Sequence, residues 1–119
     1  MELKRVVVTG LGAITPIGNT VSEFWNALCK GVNGAGPVTR FDSSKFKTRI
    51  ACEVKNFDPL QYFDRKEARK LDLYTQFALI ASDEAIRDSK ITKDNTDFNE
   101  VGVVFSSGIG GINSFYEEV

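Results

Sequence analysis

The chain has 119 residues, of which 42% are hydrophobic and 26% charged, and its formal net charge is −1 at pH 7. These fractions are typical of a folded globular protein and argue against a disordered one. Because the chain has no histidine, it excludes histidine-based acid–base catalysis, histidine metal ligation and any Ser–His or Cys–His pair within these residues. Cys29 and Cys52 lack the spacing of a zinc or redox site, so we expect structural thiols, no metal and a reducing compartment.

The amino-terminal residues resemble a short signal peptide, but the pattern does not hold. Polar and turn-forming residues interrupt the apolar stretch that follows Arg5, and no small-residue cleavage site follows closely. No segment approaches the roughly 18 apolar residues of a membrane span. We therefore expect a cytoplasmic protein without a membrane partner.

The near-zero net charge hides an uneven distribution. Residues 1–70 contain 12 basic and 7 acidic side chains, whereas residues 71–119 contain 3 and 9. Such an asymmetry makes the chain electrostatically polar, with its excess of positive charge in the first 70 residues.

Two strands and one helix are predicted over residues 1–58. The apolar run Val6-Val7-Val8 predicts a strand over about 4–9, buried on both faces. Thr20 and Glu23 have the spacing of a capping box, and the apolar residues after them predict a helix over about 21–30, with Gly31 as its end. Residues 31–48 predict a surface loop, and a partly alternating pattern predicts a strand over about 49–54.

A long helix dominates the prediction for the second half. Asp64 caps this helix, which covers about 65–89 and has two apolar stripes that are expected to be surrounded by protein. The pattern predicts one helix and is compatible with a kink or break near 71–72. A strand over about 101–106 runs into residues 106–111, here called the glycine loop, which leads towards another helix. The order of elements indicates an α/β class. Three strands and two helices leave apolar faces uncovered, which indicates a fragment or a chain completed by a partner.

Two motifs suggest chemistry that the spacing does not support. Gly10 and Gly12 follow a predicted strand as in a dinucleotide site, but Thr15 stands where the third glycine belongs. Ser106 and Ser107 lie near glycine, but neither has glycine two positions before and two after, as a nucleophile elbow requires. We expect neither site; the glycines near the two serines allow a close backbone approach to a ligand or to a neighbouring chain.

The basic cluster, defined as Arg65, Lys66, Arg69 and Lys70, is the most informative group of charges. In the first turns of a long helix, each exposed cation is unfavourable by about 0.3–1 kcal/mol. One interpretation is a solvated helix end; the other is a binding surface for an anionic partner. We expect no nucleic acid there, because the cluster lacks interleaved aromatic residues and the pI is about 5.5.

Three blocks of sequence closely resemble the β-ketoacyl-acyl carrier protein synthase II (3-oxoacyl-acyl carrier protein synthase) family. They occur in order across almost the whole chain: RVVVTGLG at 5–12 with PIGNT at 16–20, RKEARKLD at 65–72, and SGIGG at 107–111. The resemblance implies a thiolase-like fold of which residues 1–119 form an incomplete N-terminal portion, and a homodimeric enzyme. It also implies an acyltransferase of fatty-acid biosynthesis that needs no cofactor and works with acyl and malonyl forms of acyl carrier protein.

The same resemblance assigns roles to four residues. Lys66, Arg69 and Lys70 match residues that bind the acidic carrier protein, and Ile109 matches the residue that gates the acyl pocket. The family's nucleophilic cysteine and its two histidines are expected beyond residue 119, and neither Cys29 nor Cys52 matches them. We therefore expect no catalytic residue in this chain and no condensing activity from it alone.

Two alternatives stay open from the sequence. A non-catalytic ketosynthase-like partner subunit would keep the same three blocks. A short stand-alone carrier-binding protein would also keep the basic cluster.

Overall fold

The structure is a computed structural model that describes residues 3–119. The backbone forms two compact units, one of residues 13–58 and one that joins residues 3–12 to residues 59–119. No helix among the described residues is long and apolar enough to cross a membrane.

The first helix of the unit 13–58, α1, covers Val21–Cys29 and confirms the helix predicted over 21–30. The hydroxyl of Thr20 accepts a hydrogen bond from the amide of Glu23 at 3.2 Å, as the capping-box spacing predicts. The Glu23 carboxylate reaches back to the amide of Asn19 at 2.8 Å. Gly31 follows the helix with φ +64°, the left-handed conformation that glycine adopts without strain.

The predicted strand over 49–54 is shorter than expected. Only Ile50–Ala51 forms a strand, β2, which pairs antiparallel with Gly36–Pro37, β1. Proline has no backbone amide to donate, which limits how far a ladder extends beside it. The two-residue β1 lies inside the segment 31–48 that the sequence predicts as loop.

The predicted helix over 65–89 is two helices in the second unit. A 3₁₀ turn over Pro59–Gln61 precedes α2, Arg65–Lys70, and α3 covers Leu73–Ser89. Residues 71 and 72 between them are extended, with ψ of 125° and 152°, so the prediction of a single helix over 65–89 is wrong at this position. The reason is that Asp72 serves as the N-cap of α3 and therefore interrupts the helix.

The end of the chain contains one more helix. A 3₁₀ turn covers Phe98–Glu100, and α4 covers Ile112–Glu118 after the glycine loop. Gly111 starts α4 with φ +69°, which confirms that the glycine loop leads into a helix.

The strands predicted over 4–9 and 101–106 are wrong for this structure. Neither segment is part of a strand, and Val8 and Val104 are 81% and 96% exposed. A strand exists only where a neighbouring strand supplies hydrogen bonds, and within residues 3–119 no segment pairs with either run. Both segments thus have the apolar sequence of a buried strand but no strand partner among the described residues.

The described residues do not surround a hydrophobic core. No hydrophobic side chain among them is fully buried, and the one buried polar side chain is Gln76, 6% exposed. The expectation that α3 is surrounded by protein is therefore not met within residues 3–119, although most of its apolar side chains are half-buried.

Candidate functional site

The helix that carries the basic cluster begins at a strong N-cap. The Asp64 carboxylate accepts hydrogen bonds from the amides of Lys66 and Glu67, both at 2.8 Å. An aspartate at this position satisfies amides that a helix otherwise leaves unpaired. The sequence predicted this cap, and it fixes where α2 starts.

The shortness of α2 changes the electrostatic argument about the cluster. Because the helix ends at Lys70, Arg69 and Lys70 lie in its last turn, where the helix dipole favours cations. In the single long helix predicted from the sequence, the same residues would lie near an unfavourable N-terminus. Arg69 and Lys70 therefore avoid the dipole penalty that the sequence suggests, whereas Arg65 and Lys66 remain in the first turn. The case for a binding surface depends on the exposure of the four side chains.

All four cations of the cluster are exposed and none forms an ion pair with a residue that the structure describes. Lys66 and Lys70 are four residues apart, as are Arg65 and Arg69, so the cations form two adjacent rows on the helix. Together they line one surface depression. The four cations outnumber the two carboxylates of the same segment, Asp64 and Glu67, so the surface keeps a net positive charge that attracts an anionic partner at long range.

A glutamine that the sequence analysis did not select holds the end of α2. The amide nitrogen Nε2 of Gln76 donates to the carbonyl oxygens of Ala68 and Leu71, each at 2.9 Å. Its Oε1 is buried and has no hydrogen-bond partner among the described residues. The one signal in the sequence is a polar side chain beside the apolar stripe of α3.

The glycine loop is held against the start of α3. A Cβ atom at Gly110 would lie 2.7 Å from the ring of Tyr74 and 2.7 Å from the hydroxyl of Ser107. In α4, the hydroxyl of Ser114 donates to the Asp72 carboxylate at 2.7 Å. Asp72 thus joins two helices, a role that its position in the sequence does not reveal.

Ile109 lies at the tip of the glycine loop and is 77% exposed. The described residues do not enclose it, so the part of an acyl pocket that it would gate is not formed by residues 3–119. Its role as a gate stays a prediction. The structure does place its loop beside the α2–α3 junction, through Tyr74 and Asp72.

The pair Gly10 and Gly12 serves packing. Cβ atoms at these positions would collide with the backbone of α3, at Ala85 and Ser89 for Gly10 and at Ala81 and Ala85 for Gly12. A dinucleotide site needs the glycine backbone free to approach a pyrophosphate, and here a helix occupies that space. Close packing on α3 therefore accounts for Gly10 and Gly12 without a nucleotide.

The described residues give no support for a disulfide or a metal site. Cys29 and Cys52 are free and exposed, and no group of three potential metal ligands occurs among the described residues.

Residues 3–119 match the family described as "Beta-ketoacyl synthase, N-terminal domain". The chain belongs to the β-ketoacyl synthase family. Its relatives include proteins named 3-oxoacyl-(acyl-carrier-protein) synthase 2 from Synechocystis sp., 52% identical, and from Coxiella burnetii, 48% identical. Each alignment spans 112 residues, 94% of this chain.

Two solved structures share the ketosynthase fold with this chain. The ishigamide ketosynthase/chain length factor has a TM-score of 0.65 at 36% identity, over 75% of this chain and 22% of that one. A type II polyketide ketosynthase in complex with its acyl-carrier protein has a TM-score of 0.55 at 23% identity, over 76% and 23% of the two chains, and this likeness concerns the fold alone. The comparisons confirm the family resemblance and, in coarse terms, the thiolase-like fold.

The chain spans 27% of the length of the curated synthases that it matches. It therefore aligns with one part of those longer proteins.

Proposed function

We propose that this chain is the N-terminal portion of a β-ketoacyl-acyl carrier protein synthase of fatty-acid biosynthesis. The family match over residues 3–119 carries the proposal, together with relatives of 48% and 52% identity that are named 3-oxoacyl-(acyl-carrier-protein) synthase 2. The complete enzyme acts in the cytoplasm as a homodimer and needs no cofactor. Its site takes acyl and malonyl thioesters that acyl carrier protein delivers.

The reaction is an acyl transfer followed by a decarboxylative Claisen condensation. An acyl group moves from the carrier thiol to a cysteine of the enzyme. Malonyl-carrier protein then loses CO₂, and the resulting carbanion attacks the acyl thioester, forms the new carbon–carbon bond and expels the cysteine thiolate. The cysteine and its histidines belong to the part of the enzyme outside residues 1–119, so this chain supplies binding and gating.

The basic cluster is the docking surface in this proposal. Lys66, Arg69 and Lys70 are exposed and unpaired among the described residues, and they face outward from a helix that Asp64 and Gln76 hold in place. An acidic protein would gain long-range attraction and faster association from such a surface. The effect weakens as salt rises, because the Debye length falls from about 30 Å at 0.01 M to about 10 Å at 0.1 M ionic strength.

The exposed apolar runs support the view that residues 1–119 are an incomplete domain. Val8 and Val104 belong to segments with strand-like sequence and no strand partner among the described residues. We propose that the rest of the enzyme supplies those partners and covers both runs.

A non-catalytic ketosynthase-like subunit is the second candidate. The ishigamide ketosynthase/chain length factor, one of the structural neighbours, fits this candidate but supports it no better than the enzyme. Both candidates keep the docking surface, and only the enzyme condenses acyl and malonyl groups.

One experiment tests the function and the docking surface together. The complete protein is assayed for condensation with acyl- and malonyl-carrier protein, and the carrier affinity is measured for the variant Lys66→Glu/Arg69→Glu/Lys70→Glu. The matched control is Lys30→Glu/Lys45→Glu/Lys47→Glu, which reverses three exposed cations elsewhere.

We expect condensation by the wild-type protein, and carrier affinity at least about tenfold weaker in the cluster variant at low salt, or about 1.4 kcal/mol. The control should stay within about twofold. Binding without condensation would favour the non-catalytic subunit. Equal loss of affinity in both variants would contradict a docking role for the cluster.

A further inference from the structure

Asp72 contacts elements on both sides of the α2–α3 junction. One carboxylate oxygen, Oδ1, accepts a hydrogen bond from the amide of Tyr74 at 3.2 Å and caps α3. The other, Oδ2, accepts from the hydroxyl of Ser114 in α4 at 2.7 Å. A single side chain therefore fixes the start of α3 and holds the helix that follows the glycine loop.

The glycine loop has a second contact with the same junction. Gly110 packs against the ring of Tyr74 so closely that a Cβ atom there would lie 2.7 Å from a ring carbon. A Cβ atom at Gly111 would lie 3.9 Å from Oδ2 of Asp72. The loop that presents Ile109 thus lies on the first turn of α3, between Tyr74 and Asp72.

Hydrogen bonds also hold the end of α2, on the other side of the α2–α3 junction. Gln76, one turn into α3, donates to the carbonyl oxygens of Ala68 and Leu71 at the end of α2. Those bonds fix the helix of the basic cluster to the same turn of α3 that carries the glycine loop. Two separate side chains, Gln76 and Asp72, therefore connect the cluster and the loop to one rigid element.

We propose that Asp72 is a positioning residue that holds the glycine loop, and with it Ile109, in a fixed place relative to the basic cluster. The proposal rests on the proposed function, which makes the cluster a docking surface and Ile109 a gate. The proposal has one specific consequence for acyl selection. Loss of the Asp72–Ser114 hydrogen bond frees the loop and weakens discrimination between acyl chains, while the cations and the carrier affinity stay unchanged.

A purely local role predicts a different result. If Asp72 only caps α3, removal of the Ser114 hydroxyl leaves that cap intact and affects neither the loop nor acyl selection. Ser114→Ala removes the hydroxyl without touching the cap, and Ser114→Thr keeps a hydroxyl and serves as the matched control. Asp72→Asn, which retains an oxygen able to cap α3, removes the charge from the same bond.

The test uses the complete protein and two readouts. The first is the ratio of kcat/KM between the best and the worst of a series of saturated acyl-carrier substrates. The second is the hydrogen-exchange rate of amides in residues 106–111. We expect Ser114→Ala to lower the ratio at least threefold and to speed exchange in the loop. Asp72→Asn should act in the same direction but more weakly, because its amide can still donate to the Ser114 hydroxyl. Ser114→Thr should stay close to wild type, and carrier Kd should stay within twofold throughout.

An unchanged ratio or unchanged loop exchange in Ser114→Ala would overturn the proposal, and so would an equal effect of Ser114→Thr. Failure of the proposed function is recognised separately. A wild-type protein that condenses none of the substrates contradicts that function and the effect on acyl selection. The exchange comparison then still decides whether Asp72 holds the loop.

Discussion

The carbonyl oxygen of Ala81 occupies the space into which a side chain at Gly12 would project. Two residues earlier in the chain, a side chain at Gly10 would project into the carbonyl oxygen of Ala85 in the same way. The face of α3 that receives this segment consists of small residues spaced four apart, Ala81, Ala85 and Ser89. Direct contact between the amino-terminal segment and a helix backbone is possible only because neither side carries a bulky side chain.

Gly12→Ala should therefore destabilise the protein. The added methyl group would lie 2.8 Å from the backbone nitrogen of Ala85 and closer to the Ala81 carbonyl, and backbone atoms cannot rotate away. Overpacking of this kind costs about 1–3 kcal/mol. Thermal unfolding of the variant and the wild-type protein measures the loss.

Gly36→Ala is the matched control for this substitution. A Cβ atom at Gly36 meets nothing within 4 Å, and its φ is not in the left-handed region. Alanine there restricts the unfolded chain and should be neutral or stabilise by up to about 1 kcal/mol. Similar melting temperatures for the two variants would contradict the packing of Gly12 against α3.

Gln76→Met should loosen the end of α2. Methionine has a similar length but no donor, so the carbonyl oxygens of Ala68 and Leu71 lose their hydrogen bonds, each worth about 0.5–1.5 kcal/mol. The loss is partly offset because the unpartnered Oε1 also disappears. We expect faster hydrogen exchange over residues 65–71 and weaker carrier binding.

Asn26→Met is the control, because it also replaces an amide side chain by methionine, at an exposed position of α1. It should leave exchange over residues 65–71 as in the wild-type protein. Unaltered exchange in Gln76→Met would show that the two hydrogen bonds do not hold α2.

Local signals in the sequence predicted the helix ends well. Thr20 and Asp64 cap their helices, and Gly31 is left-handed, because each of these roles depends on neighbours within a few residues. The strands were not predictable in this way. Val8 and Val104 have strand-like surroundings in sequence, but pairing depends on residues far away in the chain.

The same distinction between local signals and distant contacts applies to the candidate site. The exposed cations of α2 follow from a local block of sequence, and so does the glycine loop. The residues that join them, Gln76 and Asp72, act across separations of 5 to 42 residues. No periodicity or spacing rule encodes such contacts, so only the structure shows them.

Thr39→Val should raise the pKa of Glu53. The Thr39 hydroxyl donates to the Glu53 carboxylate at 2.6 Å, and this hydrogen bond, with smaller help from backbone amides, lowers the pKa of that carboxyl. A carboxyl with a lowered folded pKa stabilises the folded state above its unfolded pKa, and the contribution is lost as pH falls through the folded pKa. NMR titration of the labelled carboxyl should show the shift towards the ordinary value.

Asp42 provides an internal reference in the same titration. Its pKa is lowered by the backbone amide and the side chain of Ser44, neither of which the substitution touches. The pKa of Asp42 should therefore stay constant while that of Glu53 rises. A Glu53 pKa that does not move would show that the Thr39 hydroxyl is not its main partner.

Ile109→Phe should shift the acyl preference of the complete enzyme towards shorter chains. Ile109 is the exposed side chain at the tip of the loop that gates the acyl pocket in the proposed function. A larger side chain there would therefore fill more of the space that a long acyl chain needs. We expect kcat/KM for the longest accepted acyl-carrier substrate to fall about tenfold or more, or 1.4 kcal/mol in transition-state free energy, with short substrates little affected. Ile50→Phe, at a 65% exposed position of β2, is the matched control and should leave the profile unchanged. A uniform decrease across all chain lengths in Ile109→Phe would indicate a damaged fold, and an unchanged profile would remove Ile109 from acyl selection.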